Sequence, residues 1–252
     1  MIINIDDRFH VKGAGKVKKI KAIIITAAGV TTAGIIGVTM AANTPQGRTT
    51  GKISTPGIGV EIRHSGIEEK AGVQAIKDGN SIIGVSYTGV PGAGNKVSDV
   101  VTVWNTKERP IYLRVTINKT WSNADGTRNF DLDPQQIKVM YKDGALADGN
   151  AGDGWIIQDR DTDGQLFDDG ETVYCYYQYP VSQGRQTTEL IDSFAVMSEH
   201  PEEIGNEYTG MSASVTFEAD AIQQTAVESA MEAEWGVIPE MDGTTIRSIS
   251  EQ

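Results

Sequence analysis

Apolar and polar residues alternate along much of the chain from Gly51 onward. A period of two indicates β-strands that turn one face to a core and the other to water. Clusters of Gly, Pro, Asn and Asp separate the alternating segments, as turns separate strands. The apolar positions of the three clearest segments are Ile58, Val60 and Ile62, then Ile111, Leu113, Val115 and Ile117, then Met211, Ala213, Val215, Phe217 and Ala219. In the second segment, the predicted water-facing residues are Tyr112, Arg114, Thr116 and Asn118.

Less regular strands are predicted at 81–85, 97–104, 136–142, 155–158, 172–179 and 190–197. Eight or nine strands with no long helix between them favour an antiparallel jelly roll or β-sandwich over a parallel sheet. One helix is predicted over 221–235, a segment of strong helix formers that places on one side Ile222, Ala226, Ala230 and Ala233. The predicted fold is therefore all-β, with a short C-terminal helix.

The first 42 residues differ in composition from the rest. They contain six basic and two acidic residues, and an uncharged run follows from Ala22 to Ala42. A basic stretch, an apolar stretch and small residues in this order are typical of an export signal, here with cleavage by signal peptidase after Ala41 or Ala42. An uncleaved anchor is the alternative, because the run is long enough to span a bilayer. The sequence thus predicts a secreted protein of the extracellular matrix or cell surface.

Charge narrows the range of partners. The chain of 252 residues carries 22 basic and 34 acidic residues, a net charge of −12. Without the leader, 16 basic and 32 acidic residues remain, a net charge of −16. Nucleic acid is not an expected partner, because its binding depends on Lys and Arg at the phosphates. The single cysteine, Cys175, excludes an internal disulfide.

Catalytic motifs are scarce. The chain has three histidines and contains neither His-Glu-x-x-His nor Gly-x-Ser-x-Gly. His64 and His200 are predicted to lie at the surface. The glycine-rich stretch from Gly89 to Lys96 lacks the Gly-Lys-Ser/Thr of a phosphate-binding loop and is interpreted as a turn. The sequence therefore predicts a protein that is not an enzyme.

One acidic segment is a candidate metal site. Short acidic side chains alternate there before a glycine, as at the opening of a calcium loop in which carboxylates converge on one cation. The twelfth position, where the complete loop has a bidentate Glu, is Gly170, and no flanking helices are predicted. If calcium is a cofactor, we expect its ligands to be Asp159, Asp161, Asp163 and Asp169. A solvated acidic turn between strands is the alternative.

Several segments are informative through their order along the chain. They are the basic, Ala/Gly/Thr-rich leader, residues 57–62 (GIGVEI), residues 90–106 with 110–115, residues 174–179 with 184 and 187–190, and the closing residues 217–223 (FEADAIQ) with 235–236 (WG). In this arrangement the chain resembles the TasA/camelysin family of bacterial surface and biofilm-matrix proteins, which are exported with a SipW-type signal peptide. The resemblance spans nearly the whole chain.

The resemblance implies a jelly-roll domain whose copies assemble into fibres by donor-strand complementation. In fibre-forming members, the segment freed at the N-terminus completes the sheet of the next subunit. Addition of a strand to an open edge pairs a row of backbone groups, and the head-to-tail relation makes the homopolymer open-ended. The candidate donor segment is 43–56, with the donor-strand residues Thr49, Thr50, Lys52, Ile53 and Thr55. A disordered tail is the alternative for this segment.

The predicted organisation is a signal peptide at 1–42, the donor segment at 43–56, a jelly-roll domain at 57–238 and a tail at 239–252. The predicted function is a structural subunit, or an accessory protein, of biofilm-matrix fibres. Its expected partners are further copies of itself, signal peptidase, and a matrix polysaccharide or accessory fibre protein. A non-polymerising, calcium-binding surface domain or adhesin is one alternative. A camelysin-like metallopeptidase is another, although the paired histidines of a zinc site are absent from the sequence.

Overall fold

The computed structural model describes residues 52–55, 57–68, 71–88, 96–142, 150–151, 154–158, 170–196 and 206–251. The first eight strands in these ranges are β1 (Lys52–Thr55), β2 (Ile58–Ser65), β3 (Val73–Asp78), β4 (Ser81–Thr88), β5 (Lys96–Ser98), β6 (Val100–Asn105), β7 (Ile111–Ser122) and β8 (Arg128–Asn129). The next eight are β9 (Ile137–Tyr141), β10 (Asn150–Ala151), β11 (Trp155–Gln158), β12 (Thr172–Tyr177), β13 (Ile191–Val196), β14 (Ser212–Gln223), β15 (Val237–Asp242) and β16 (Thr245–Glu251). Helix α1 (Val227–Trp235) lies between β14 and β15. Single 3-10 turns span Pro134–Gln136 and Asn206–Tyr208.

The largest sheet is antiparallel and has the strand order β10-β11-β12-β7-β14-β4-β3, with β8 paired to the end of β7. At its centre, β7 and β14 pair without a register shift from Ser122 opposite Ser212 to Ile111 opposite Gln223. Because the register is unbroken, alternate side chains of both strands stay on the same face over their whole length.

The opposing layer consists of two three-stranded sheets, β1-β2-β6 and β5-β13-β9. The segment before β13 joins them, since the N–H groups of Thr187 and Leu190 donate to the carbonyls of Val103 and Val101 in β6, each at 2.9 Å. Apolar side chains of both layers form one core. The apolar positions predicted from the three clearest segments all lie in this core, with Met211 partly buried at its margin.

A second hydrophobic cluster covers one end of the outer face of the large sheet. Tyr112 of β7 and Ile222 of β14 pack there with Met231 of α1 and with Val237 and Ile246 of the β15–β16 hairpin. Tyr112 is only 1% exposed. The prediction that Tyr112 faces water is therefore wrong, because the C-terminal elements cover this end of the sheet. The same prediction is wrong for Thr116, which is 9% exposed between Tyr174 and Glu218 on the neighbouring strands.

The helix is shorter than predicted. Strand β14 continues through Gln223, so Ile222 belongs to a strand and the helix begins only at Val227. It ends at Trp235, after which Gly236 adopts a φ of +67° and donates its N–H to the carbonyl of Glu232. Residues 239–251, expected as a tail, lie in the paired strands β15 and β16.

The predicted fold class is confirmed: the described chain is an antiparallel β-sandwich with one short helix near its C-terminus. The sequence did not predict β3, because it is an edge strand in which Val73 is the only fully buried residue. An edge strand needs little apolar surface, so its sequence shows little alternation.

Candidate functional site

Strand β1 forms the edge of its three-stranded sheet, antiparallel to β2. The register pairs Lys52 with Glu61, Ile53 with Val60, Ser54 with Gly59, and Thr55 with Ile58. Three of the predicted donor-strand residues, Lys52, Ile53 and Thr55, therefore belong to a strand that pairs with the chain's own β2. The other two, Thr49 and Thr50, lie outside the described residues.

The connection from β1 to β2 is two residues long, 56 and 57. Gly57 has a φ of +87°, which residues with a β-carbon rarely adopt. A β-carbon there would lie 3.5 Å from Nε of Arg109, whose Nη1 donates to Oε1 of Gln223 at 3.2 Å. Strand β1 is thus one arm of a tight hairpin whose turn lies against the end of β14.

Strand β2 is held by contacts other than those with β1. Ile58, Val60 and Ile62 are buried in the core, and β2 pairs with β6 on its other side. The carbonyl of Gly59 accepts the N–H of Thr106 at 2.9 Å, and a β-carbon on Gly59 would lie 2.6 Å from Oγ1 of Thr106. The loop after β6 thus lies directly on Gly59, and none of these contacts involves β1.

The edge of β2 is longer than the described part of β1. Strand β2 has eight residues, and β1 pairs with the first four of them. In the described part of the chain, the remaining residues, Ile62–Ser65, pair with β6 alone. An eight-residue strand in the register of β1 would carry Thr50 opposite Arg63 and Thr49 opposite His64. The edge therefore has room for all five predicted donor-strand residues.

The side chain of His64 is buried, which corrects the prediction that it lies at the surface. Its side chain and that of Asp99 are each 1% exposed, and Nδ1 lies 2.9 Å from Oδ1 and 3.0 Å from Oδ2 of the carboxylate. The imidazole packs edge-on against Phe217, with ring centroids 5.4 Å apart. A His–carboxylate pair also occurs in catalytic triads, where the other ring nitrogen meets a nucleophile. Here that nitrogen, Nε2, is buried and has no hydrogen-bond partner in the described part of the chain.

Several predicted site residues lie outside the described ranges. They are Ala41 and Ala42 at the predicted cleavage site, the calcium candidates Asp159, Asp161, Asp163 and Asp169, and His200. Their roles stay predictions. Among the residues that the structure describes, no three His, Cys, Asp or Glu side chains are grouped so as to hold a metal ion. The same residues include no helix long and apolar enough to cross a bilayer.

A charged and aromatic cluster lies on the outer face of the large sheet, and no pattern in the sequence predicted it. Nη2 of Arg114 donates to Oδ2 of Asp220 at 2.7 Å. The same guanidinium lies 5.0 Å from the ring centre of Tyr174 and 5.3 Å from that of Trp235 at the end of α1. Arg114 and Asp220 are opposite each other in the register of β7 and β14, but 106 residues separate them in sequence. Only the pairing of the strands reveals the contact.

Two ionisable groups beside Arg114 have shifted pKa values. Burial raises the pKa of Tyr176 to about 12, although the positive charge of Arg114 acts in the opposite direction. Burial also raises the pKa of Glu218, and the neighbouring carboxylate of Asp220 adds to this shift. This cluster joins helix α1 to the sheet. Its contacts pack α1 against the strands.

Lys119 was also missed. It is 2% exposed and follows Ile117 in the inward-facing series of β7. Its backbone N–H donates to the carbonyl of Glu171 at 2.7 Å. The signal was present in the sequence, because the alternation that buries Ile117 and Trp121 places Lys119 between them on the same face.

Comparisons with known proteins identify no relative. No protein-family model matches the chain. Neither the curated proteins nor the solved structures include a significant match.

Proposed function

We propose that the chain is a secreted structural subunit of an extracellular fibre, in which β1 of one copy pairs with β2 of the next. The observation that carries the proposal is the position of β1, an edge strand that only two residues separate from β2. Such a strand is exchangeable, because the backbone groups it pairs on its own β2 are the same on a neighbouring copy. Short hinge loops favour exchange of this kind.

The paired length sets the energetics of the exchange. Within the described residues, β1 pairs with four of the eight residues of β2. A backbone hydrogen bond contributes about 1 kcal/mol net, so this described pairing is worth only a few kcal/mol, and the same pairing with β2 of a neighbouring copy replaces it at little cost. Cleavage of the leader after Ala41 or Ala42 would free the donor segment outside the cell, where fibres then grow.

A reversible lock tests the proposal. Lys52→Cys with Glu61→Cys introduces a disulfide between residues that are directly opposite in the β1–β2 pair, where Cα atoms are about 4.5–5.5 Å apart and a disulfide is feasible. The native Cys175 is fully buried and does not interfere. Under oxidising conditions we expect the locked protein to form no fibres in electron micrographs, and reductant should restore them. Fibre growth by the oxidised, locked protein would overturn the proposal.

A matched control separates the exchange of β1 from a general effect of cross-linking. Glu240→Cys with Ser248→Cys joins opposite residues of the β15–β16 hairpin, and fibres of this variant should form in both redox states. A mixture of the two single variants, Lys52→Cys and Glu61→Cys, should form a disulfide between different chains during assembly, which mass spectrometry detects. Absence of this cross-link from the fibres would mean that they grow through another contact.

A further inference from the structure

A cleft of about 210 Å³ lies beside the β1–β2 turn, where the loop after β6 meets the segment between β14 and α1. We call it the Arg109 cleft. Its lining includes one cation and no carboxylate, in a chain whose net charge is −12. The lining residues are Arg109, Pro110, Gln223, Gln224 and Thr225. The cleft is therefore locally positive on an acidic protein.

Three hydrogen bonds fix the walls of the Arg109 cleft. Asn105, which is fully buried, donates from Nδ2 to the carbonyl of Arg109 at 2.7 Å. The N–H of Gln224 donates to the carbonyl of Pro110 at 3.1 Å. Nη1 of Arg109 donates to Oε1 of Gln223 at 3.2 Å. Because the backbone and the guanidinium of Arg109 are already held, a ligand loses little affinity to ordering of the site.

Most of the donors in the Arg109 cleft are unused. In the part of the chain that the structure describes, the guanidinium of Arg109 donates only to Gln223 and forms no ion pair with a carboxylate. Glu108 precedes it in sequence but does not line the cleft. Among the same residues, the side chains of Gln224 and Thr225 make no hydrogen bond. The planar fork of an arginine matches a carboxylate through two parallel hydrogen bonds, and an amide or hydroxyl donor adds a third.

We infer that the Arg109 cleft binds a carboxylate group. A phosphate would also suit a guanidinium, but the net negative charge of the chain repels a divalent anion more strongly than a single carboxylate. The chain itself is a source of the ligand, because it has 34 acidic and 22 basic residues. The cleft is a feature of one copy, so its binding chemistry does not depend on strand exchange.

The position of the cleft indicates where its carboxylate comes from. A β-carbon on Gly57 would lie 3.5 Å from Nε of Arg109, so the guanidinium is next to the β1–β2 turn. In the proposed strand exchange, the donor strand ends at this point, after its Thr55, and the rest of the donor copy lies nearby. An acidic side chain of that neighbouring copy then reaches the cleft. This source of the ligand rests on the proposed function, whereas the binding of a carboxylate does not.

NMR titration of the full chain tests the chemistry of the cleft. The oxidised Lys52→Cys/Glu61→Cys lock is present, so that strand exchange does not contribute. The probes are inorganic phosphate and two capped tripeptides, alanine–glutamate–alanine and alanine–glutamine–alanine, which differ only in the carboxylate. We expect the glutamate peptide to shift the Nε–H resonance of Arg109 saturably at millimolar concentration. The glutamine peptide should cause less than about a tenth of this shift, and phosphate should bind more weakly than the glutamate peptide.

Matched variants assign the binding to Arg109, followed through the backbone N–H resonance of Gln224. Arg109→Gln should abolish the shift, with its fold checked by circular dichroism and melting temperature. Arg247→Gln removes the same charge from an exposed pair with Asp242 on the β15–β16 hairpin and should bind normally. Arg109→Lys keeps the charge but lacks the fork, so it should bind more weakly than the parent. Gln224→Leu, followed through the Nε–H resonance of Arg109, leaves the guanidinium in place and should weaken binding less than Arg109→Gln does.

Fibre growth by the unlocked chain identifies the source of the carboxylate. Arg109→Gln should slow growth about fivefold relative to Arg247→Gln. Loss of peptide binding without slower growth would overturn the neighbouring copy as the source and assign the cleft to a free carboxylate. The inference itself is overturned if both peptides cause equal shifts, if phosphate binds more tightly than the glutamate peptide, or if Arg109→Gln binds as well as Arg247→Gln. Absence of fibres from the parent would contradict the proposed function, and the peptides would still decide whether the cleft binds a carboxylate.

Discussion

Nδ1 of His64 lies 2.9 Å from Oδ1 of Asp99, and both side chains are 1% exposed. His64 belongs to β2, whereas Asp99 lies between β5 and β6 and donates its N–H to the carbonyl of Asp192 in β13 at 3.1 Å. One buried polar contact therefore joins the strand that carries the candidate assembly edge to both sheets of its layer. Each partner compensates for the lost hydration of the other.

Removal of Asp99 or His64 should therefore destabilise the folded protein. We expect Asp99→Ala to lower the free energy of unfolding by about 3 kcal/mol, because it leaves a buried polar imidazole without its partner. Urea denaturation measures the change. Glu61→Ala is the control, since Glu61 accepts from Arg63 at 3.2 Å in an exposed pair and its loss should cost less than about 1 kcal/mol. Equal effects of the two substitutions would contradict a structural role for the buried pair.

Glu218→Gln should stabilise the fold at neutral pH. Burial and Asp220 raise the pKa of Glu218 in the folded state, so the folded protein holds its proton more tightly than the unfolded chain. The contribution of Glu218 to stability therefore falls as pH rises from the unfolded to the folded pKa and stays low above it. We expect the variant to melt about 1–3 °C higher at pH 7, since Glu218 is only half buried. Below both pKa values the difference should vanish, and a difference that persists there would contradict the assignment.

Tyr176 should ionise later than an exposed tyrosine. Its pKa is raised to about 12 by burial, compared with an ordinary value of about 10. Because ionisation is easier in the unfolded chain, stability should fall as pH rises above 10. When Tyr176→Phe is titrated to alkaline pH, the absorbance should lack the step of the last tyrosine to ionise. This variant should also lose less stability between neutral and alkaline pH. A late step that persists in Tyr176→Phe would show that Tyr176 is not the late group.

Gly84 of β4 is expected to tolerate no side chain. A β-carbon at this position would lie 2.2 Å from the backbone oxygen of Val215 and 2.8 Å from Cα of Thr216. Since backbone atoms of β14 must shift, Gly84→Ala should destabilise the protein by about 2 kcal/mol in urea denaturation. Ser86→Ala, at the next position on the same face of β4, should change stability by less than about 0.5 kcal/mol. Similar costs for both would mean that β4 is not held so closely against β14.

Much of the core was predictable, because alternation along a strand is local information. Ile111, Leu113, Val115 and Ile117 were expected to face inward from their spacing alone, and all four are buried. The predicted donor-strand residues Lys52, Ile53 and Thr55 do form an edge strand, but no local pattern identified β2 as its partner. The buried side chain of His64 contacts Asp99, which is 35 residues away in sequence, so the position of His64 within β2 did not predict this contact.

The sequence alone determined the fold class, because a period of two over many short segments is compatible only with strands in layered sheets. It also determined the uneven charge, because the basic residues are concentrated in the first 42 residues and the rest of the chain is acidic. The tertiary structure decided what covers each face. Tyr112 and Thr120 lie on the same face of β7, yet Tyr112 is buried beneath the C-terminal elements whereas Thr120 stays partly exposed. Alternation separates the two sides of a strand, but the elements that pack on each side come from distant parts of the chain.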